Sequence, residues 1–137
     1  MEQQLGASAK IVQYKGVDLI YNDLSGLKGS QLTERLRENG RAMAPRTKSR
    51  SDNVILNIFT DTLLDENGAN YMRKLHKNMD GFFVACAIVG MSGIQKYLVE
   101  ITETLNNTKL RSKFFDHETE AMDWMVEEYK KLTNRKR

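Results

Sequence analysis

The apolar and polar positions of the chain alternate between short β-rich runs and longer stretches with helical spacing. Residues 10–14 and 17–24 are two such runs, and the Lys15-Gly16 pair between them suits the positive φ of a two-residue hairpin. Residues 53–60 and 82–90 are apolar at both alternating sets of positions, as in strands buried on both sides of a parallel sheet. The pattern predicts an antiparallel hairpin at or near one edge of a sheet whose middle strands are parallel.

Helical periods follow these runs. The first helix is predicted to begin at Ser30 as N-cap, and Gly40 is expected to end it early, before a basic loop around Pro45. The order β-β-α-β-α-β-α-β-α gives an α/β class, a single domain with a mixed, mostly parallel sheet of about five strands. The remaining helices are predicted at residues 68–79, at residues 94–105 and from Glu118, and a last strand at residues 112–115.

One face of this sheet is expected to be bare. Parallel crossovers are right-handed, so helices that join neighbouring strands all lie on the same face. Both alternating sets of residues 82–90 are apolar, and the opposite face would therefore be apolar too. We expect the N-terminal segment, a partner or a second copy of the chain to cover it, which favours a homodimer.

Composition changes this picture little. The chain has 137 residues, of which 28% are charged, and fits one domain. The expected organisation is an N-terminal segment at residues 1–9, a domain at residues 10–129 and a basic tail at residues 130–137. The tail supplies the net charge of +3. Neither it nor the basic residues at 41–50 are interleaved with aromatic residues, so no specific nucleic-acid binding is predicted.

Two features bear on the compartment. Cys86 is the only cysteine and lies in an apolar run, as expected for a buried thiol in a reducing environment. The chain shows no signal-peptide pattern and no apolar segment long enough to span a membrane. We therefore expect a cytoplasmic protein.

Candidate binding residues lie in three loops that follow strands. Ligands of open α/β sheets bind at the carboxyl ends of the strands, and each loop also leads to a helix N-terminus, which favours anions and hydroxyls. A purely structural interpretation is open as well, because Asp65 is a plausible N-cap and Ser92 with Gln95 matches a capping box. The candidate partner- or ligand-binding residues are Asp23, Ser25, Thr60, Asp61, Thr62, Asp65, Glu66, Asn67, Gly68, Met91 and Ser92.

The sequence carries no signature of catalysis or of a cofactor. His76 and His117 have no cysteine or histidine at metal-ligand spacing, and no glycine-rich phosphate loop is present. The acidic cluster of Asp61, Asp65 and Glu66 lacks a histidine or a nucleophile. We predict a noncatalytic protein without metal or cofactor.

The central segment LNIFTDTLLDENGANYMRKL resembles the strand, loop and helix of STAS domains, the fold of bacterial anti-sigma-factor antagonists. Thr62, an apolar pair, Asp65 and Gly68 follow the strand as they do in that family. ACAIVGMSGIQ is similar to its fourth strand and turn, and FFDHETEAMDWM to its closing strand and final helix. YKGVDLIYNDLSGLKG is most similar to a poorly characterised STAS-like branch grouped near CRAL-TRIO-type lipid-transfer domains. The resemblance spans residues 10–128 and implies a STAS-like fold.

The resemblance also implies a function. In the antagonists, the serine after the loop aspartate is phosphorylated by a kinase that is also the anti-sigma factor, whereas Glu66 and Asn67 stand in this region here. Neither accepts that phosphate, so we expect a regulatory module that docks a protein partner through residues 60–68 without this switch. The alternative is a carrier or sensor of a lipid-like or other small apolar ligand, held among flexible methionines. Those methionines are Met72, Met79, Met91, Met122 and Met125.

Overall fold

The computed structural model describes residues 2–79, 81–93, 95 and 111–135. The strands of these residues form one sheet in which β1 to β6 lie in chain order, antiparallel from β1 to β3 and parallel from β3 to β6. The strands are β1 (Glu2–Gly6), β2 (Ala9–Tyr14), β3 (Val17–Asp23), β4 (Asn53–Ile58), β5 (Phe83–Val89) and β6 (Arg111–Phe115). The helices are α1 (Ser30–Thr47), α2 (Glu66–Met79) and α3 (Glu118–Arg135).

This architecture confirms the predicted mixed, mostly parallel α/β sheet. The β2–β3 hairpin turns at Lys15 and Gly16, which both have positive φ, the arrangement of a type I′ turn that matches the strand twist. Every residue of β4 is buried, as expected for a middle strand. The helix predicted at residues 94–105 lies outside the described residues. None of the described helices is both long and apolar enough to cross a membrane.

The sheet has one strand more than the five expected, because residues 2–6 pair with β2 as β1. Its first three residues are polar and exposed, so they lack the apolar alternation by which strands are recognised. An edge strand pairs on one side only and can keep polar side chains in water. Leu5 packs against the core, and a Cβ on Gly6 would lie 3.0 Å from the Cβ of Ala42 on α1.

Helix α1 departs from the prediction at both ends. Its N-cap is Gly29, with a φ of 59°, and Ser30 is already its first helical residue. The helix continues through Gly40 and Pro45 to Thr47, so Arg41 and Arg46 of the basic cluster predicted as a loop are helical, whereas Lys48 and Arg50 follow the helix. Pro45 lies two residues before the helix end and removes a single backbone hydrogen bond there. Packing of the apolar face of α1 on the sheet outweighs that loss.

The prediction of a bare sheet face is wrong. Helices α1 and α2 cover one face, and α3 covers the other, where Ala121, Met125 and Val126 are buried against β4 and β5. Because α3 follows the last strand, it belongs to no crossover, and the handedness rule does not fix its face. The argument for a homodimer from an uncovered sheet therefore no longer holds. Helix α3 extends to Arg135, into residues assigned to the basic tail.

Candidate functional site

The first two candidate loops run side by side beyond the ends of β3 and β4. The Gly26 N–H donates to the Thr60 carbonyl at 3.0 Å, and the Gly29 N–H donates to the Leu63 carbonyl at 2.9 Å. The Leu63 N–H donates in turn to the carbonyl of Leu27 at 3.3 Å. These backbone bonds extend the parallel pairing into the loops, so the loop ends are held in register.

Gln95 joins the third loop to the second. Its Oε1 accepts a hydrogen bond from the Leu64 N–H at 2.9 Å, and its Nε2 donates to the Thr62 carbonyl at 3.1 Å and to Ser92 Oγ at 2.7 Å. Gly90 allows a close approach, because a Cβ there would lie 2.5 Å from Thr60 Oγ1. The three loops therefore meet at the carboxyl ends of the parallel strands. Gln95, expected only as a capping residue, is the cross-link that sequence reasoning missed.

Several of the candidate polar residues form side-chain hydrogen bonds within their own loops. The Asp23 carboxylate accepts hydrogen bonds from the backbone N–H and the hydroxyl of Ser25, at 3.1 and 2.7 Å. Thr62 Oγ1 donates to the Phe59 carbonyl at 2.8 Å. Asp65 Oδ1 accepts from the Gly68 N–H at 2.7 Å and so caps α2. These contacts support the structural interpretation of Asp23, Ser25, Thr62 and Asp65.

Of the remaining candidate binding residues, some are buried and the others are exposed. Met91 and Gly68 are buried, and a Cβ on Gly68 would lie 2.7 Å from Leu64 Cδ1. Leu63 is 58% exposed, the largest exposed apolar side chain of the described residues, whereas its neighbour Leu64 is buried. We call Thr60, Asp61, Leu63, Glu66 and Asn67, all exposed, the loop surface. Ser92 is also exposed, beside it.

A cavity of about 460 Å³ lies between α1 and α2, above β3, β4 and β5. The helices touch near their N-termini, where a Cβ on Gly68 would lie 3.1 Å from Thr33 Oγ1 and where the Arg37 guanidinium lies 5.1 Å above the Tyr71 ring. The cavity opens further along both helices. Its volume falls within the range of roughly 300–1,000 Å³ typical of small-molecule sites.

The cavity walls are mostly apolar. Met43 of α1 and Met72 and Met79 of α2 line it, so two of the five methionines expected around a ligand are there. Met91 belongs to the same core cluster, whereas Met122 and Met125 lie on the α3 face. The other apolar side chains of the lining are Leu36, Ala44, Ile55, Phe59, Leu75, Phe82, Phe83 and Ile88.

Buried amides cross the cavity floor. Asn39 of α1 donates to Asn22 Oδ1, the Asn22 amide donates to Asn57 Oδ1 at 2.8 Å, and the Asn57 amide donates to Cys86 Sγ at 3.1 Å. This series of hydrogen bonds begins at Ser8, whose N–H donates to Asn39 Oδ1 at 3.0 Å. Each amide thus finds its partner within the protein, which removes the cost of burying it. No local pattern in the sequence marks these asparagines as partners of one another.

His76 of α2 also borders the cavity and is buried. Burial disfavours the charged imidazolium and lowers the pKa of His76 to about 4. The side chain is therefore neutral at pH 7. Among the described residues, no group of three or more histidine, cysteine or acidic side chains is placed to hold a metal ion.

Neither a family model nor a curated protein matches the chain. Among solved structures, it is similar to the crystal structure of an uncharacterised DUF3478-family protein with a SpoIIAA-like fold from Shewanella loihica PV-4. The TM-score is 0.59 and the sequence identity 19%, over 85% of this chain and 91% of that chain. The SpoIIAA-like fold is that of STAS anti-sigma-factor antagonists, so the predicted STAS-like fold is confirmed.

Proposed function

We propose that this chain, which has the SpoIIAA-like fold, is a noncatalytic binding module that takes up a small apolar ligand between α1 and α2. The observation that carries the proposal is the cavity of about 460 Å³. The cavity opens to solvent between the helices, so its apolar lining stays in contact with water unless a ligand covers it. Burial of that apolar lining against a ligand is favourable.

Two properties of the lining suit a guest molecule. The three methionines have unbranched, polarizable side chains that can repack around ligands of different shape. On the α1 side, Gly40 and Ala44 contribute no large side chain to the opening, and a Cβ on Gly40 would meet no atom within 4 Å. A bulky residue at position 40 can therefore be built into the opening without displacing the backbone.

The free space at position 40 allows a test of the proposal, because a bulky side chain there should block the cavity. Native mass spectrometry of freshly purified protein, with titration of the neutral dye phenylnaphthylamine, measures occupancy of the cavity. The wild type and the control variant Gly40→Ala should retain an adduct or bind the dye with one-to-one stoichiometry, and Gly40→Phe should do neither. Urea denaturation of all three proteins verifies that they are folded. A wild type without adduct and without dye binding, or equal binding by Gly40→Phe, contradicts the proposal.

A second function, docking of a protein partner, is favoured by the loop surface. Leu63 exposes its apolar side chain between the acidic residues Asp61 and Glu66, which combines an apolar anchor with charges that select a basic partner. Glu66 is the first residue of α2, where a negative charge interacts favourably with the helix dipole. Docking through residues 60–68 would thus not require the phosphoserine of the antagonists.

Cross-linking mass spectrometry in cells tests this function, with Leu63→Ser and Glu66→Gln compared with the wild type. A specific partner should cross-link near residues 60–68, and Leu63→Ser should abolish the cross-link. Glu66→Gln should weaken the affinity for the purified partner by up to about fivefold, equivalent to the loss of about 1 kcal/mol from one exposed ion pair with the basic partner. No phosphate is expected at residues 65–68. Unchanged cross-links in Leu63→Ser would exclude the loop surface as the docking site.

A further inference from the structure

The mouth of the cavity is basic along α1. Arg37, Arg41 and Lys48 line the cavity and are exposed. Arg37 and Arg41 are four residues apart on α1, and Lys48, the C-cap residue with helical backbone angles, follows Arg41 by seven. All three therefore lie on one stripe, because residues four and seven apart share a helix face. Gly40 and Ala44 lie between them and carry no bulky side chain. The stripe thus brings its charges to the opening, although the sequence alone placed Arg41 and Lys48 in a loop.

These charges are only partly compensated by the protein. Arg37 forms an ion pair of 3.5 Å with Glu34 and stacks on Tyr71. Within the described part of the chain, Arg41 and Lys48 form no ion pair, and no aspartate or glutamate belongs to the cavity lining. The described lining residues at the mouth therefore carry an excess of positive charge, which favours an anion.

The cavity interior is different, because it carries no charge. His76 is neutral at pH 7, and the amides of Asn22 and Asn57 are hydrogen-bonded within the protein. A charged group placed there would lose its hydration without gaining a counter-ion. An apolar chain placed there would gain the hydrophobic burial that the walls offer.

We propose that the ligand is a single-chain amphiphile with an anionic head group. Its alkyl chain fills the space beneath α1 and α2, and its head binds Arg41 and Lys48 at the mouth, with Arg37 beside them. This inference rests on the proposed uptake of a small apolar ligand and adds the polarity and orientation of that ligand. A carboxylate and a phosphate share the chemistry that the mouth would recognise.

Isothermal titration calorimetry below the micelle concentration compares four probes that each have a straight chain of twelve carbon atoms, counting the carboxyl carbon of dodecanoate. They are dodecanoate, dodecyl phosphate, dodecanol and dodecyltrimethylammonium. We expect the two anions to bind about tenfold more tightly than dodecanol, and the cation to bind most weakly. The ratio between dodecanoate and dodecyl phosphate distinguishes a fatty-acid head from a phosphate head.

A charge variant and a matched control locate the head group. Arg41→Gln/Lys48→Gln should weaken dodecanoate binding about tenfold and leave dodecanol binding unchanged. Lys113→Gln/Lys130→Gln removes two exposed charges that lie outside the cavity lining, and it should bind dodecanoate as the wild type does. Added salt should weaken dodecanoate binding to the wild type more than to the Arg41/Lys48 variant.

Failure of this inference differs from failure of the proposed function. If dodecanol and dodecanoate bind equally, and Gly40→Phe blocks both, the cavity binds apolar ligands but the anionic head is disproved. Equal loss of both probes in Arg41→Gln/Lys48→Gln would also overturn the role of the two charges. If none of the four probes binds, or if Gly40→Phe binds them as the wild type does, the cavity proposal fails together with the inference.

Discussion

The two faces of the sheet are built differently, although the same strands supply both. Under α3, β5 contributes Ala85, Ala87 and Val89, side chains of small or moderate size that let the helix lie close to a mostly apolar layer. On the opposite face, β5 contributes Cys86 and Ile88 to a layer that also holds an amide network and the cavity. The comparison indicates that the α3 face is closely packed, whereas the α1/α2 face leaves the open space in which we propose that a ligand binds.

Truncation of one methionine on each face tests this division most strongly. Met125 is 0% exposed on the α3 face, and Met125→Ala should lower the free energy of unfolding by about 2 to 5 kcal/mol, because it creates a new cavity. Met72 already borders an open space, so Met72→Ala should cost about 1 to 2 kcal/mol. Urea denaturation of both variants measures the difference. Equal losses would show that both faces are packed equally well.

The pH dependence of stability should depend on His76, which lies on the cavity side. The pKa of His76 is lowered from 6.5 to about 4 by burial, so between these values the unfolded state binds the proton and the folded state does not. Stability should therefore fall as the pH decreases through this window, by about 3 kcal/mol in total.

The variant His76→Leu isolates this contribution, since the carboxylates that also titrate at low pH are common to both proteins. Its free energy of unfolding should fall less steeply between pH 6.5 and pH 4 than that of the wild type. If the free energy of unfolding falls equally steeply with pH in both proteins, the pKa of His76 is not lowered in the folded protein.

The amide network should behave as a unit that the α3 face lacks. Asn57→Leu removes the acceptor of the Asn22 amide and the donor to Cys86 Sγ, which should cost about 1 to 3 kcal/mol. The double variant Asn22→Leu/Asn57→Leu should lose less stability than the sum of the two single variants, because fewer buried groups are left without a partner. Additive losses in denaturation experiments would disprove the coupling.

The smallest effect concerns two glycines on the α1/α2 face. Gly40→Ala should raise the free energy of unfolding by about 0.5 to 1 kcal/mol, because the added Cβ meets no atom within 4 Å and alanine favours the helix. Gly68→Ala should be destabilising, since its Cβ would lie 2.7 Å from Leu64 Cδ1 and 3.1 Å from Thr33 Oγ1. Thermal unfolding of the two variants gives the sign of each change in melting temperature. Changes of the same sign would contradict the free space at Gly40 or the close contacts at Gly68.

Much of the fold and part of the candidate site could be predicted from residues close together in the chain. The hairpin at Lys15-Gly16, the buried strands β4 and β5 and the cap at Asp65 each depend on local spacing, and the structure has all of them. The meeting of the three loops also follows locally, because parallel strands end at the same edge of a sheet. The STAS-like resemblance added the fold but did not indicate the cavity.

What the sequence by itself determined is therefore the set of elements and the edge at which their loops meet. The tertiary structure decided the face that α3 covers, the pairing of β1, the cross-link by Gln95 and the space between α1 and α2. These features depend on contacts between residues far apart in the chain, which local periodicity does not encode. The basic stripe shows the limit well: Arg41 and Lys48 become neighbours of one opening only because packing carries α1 through Gly40 and Pro45.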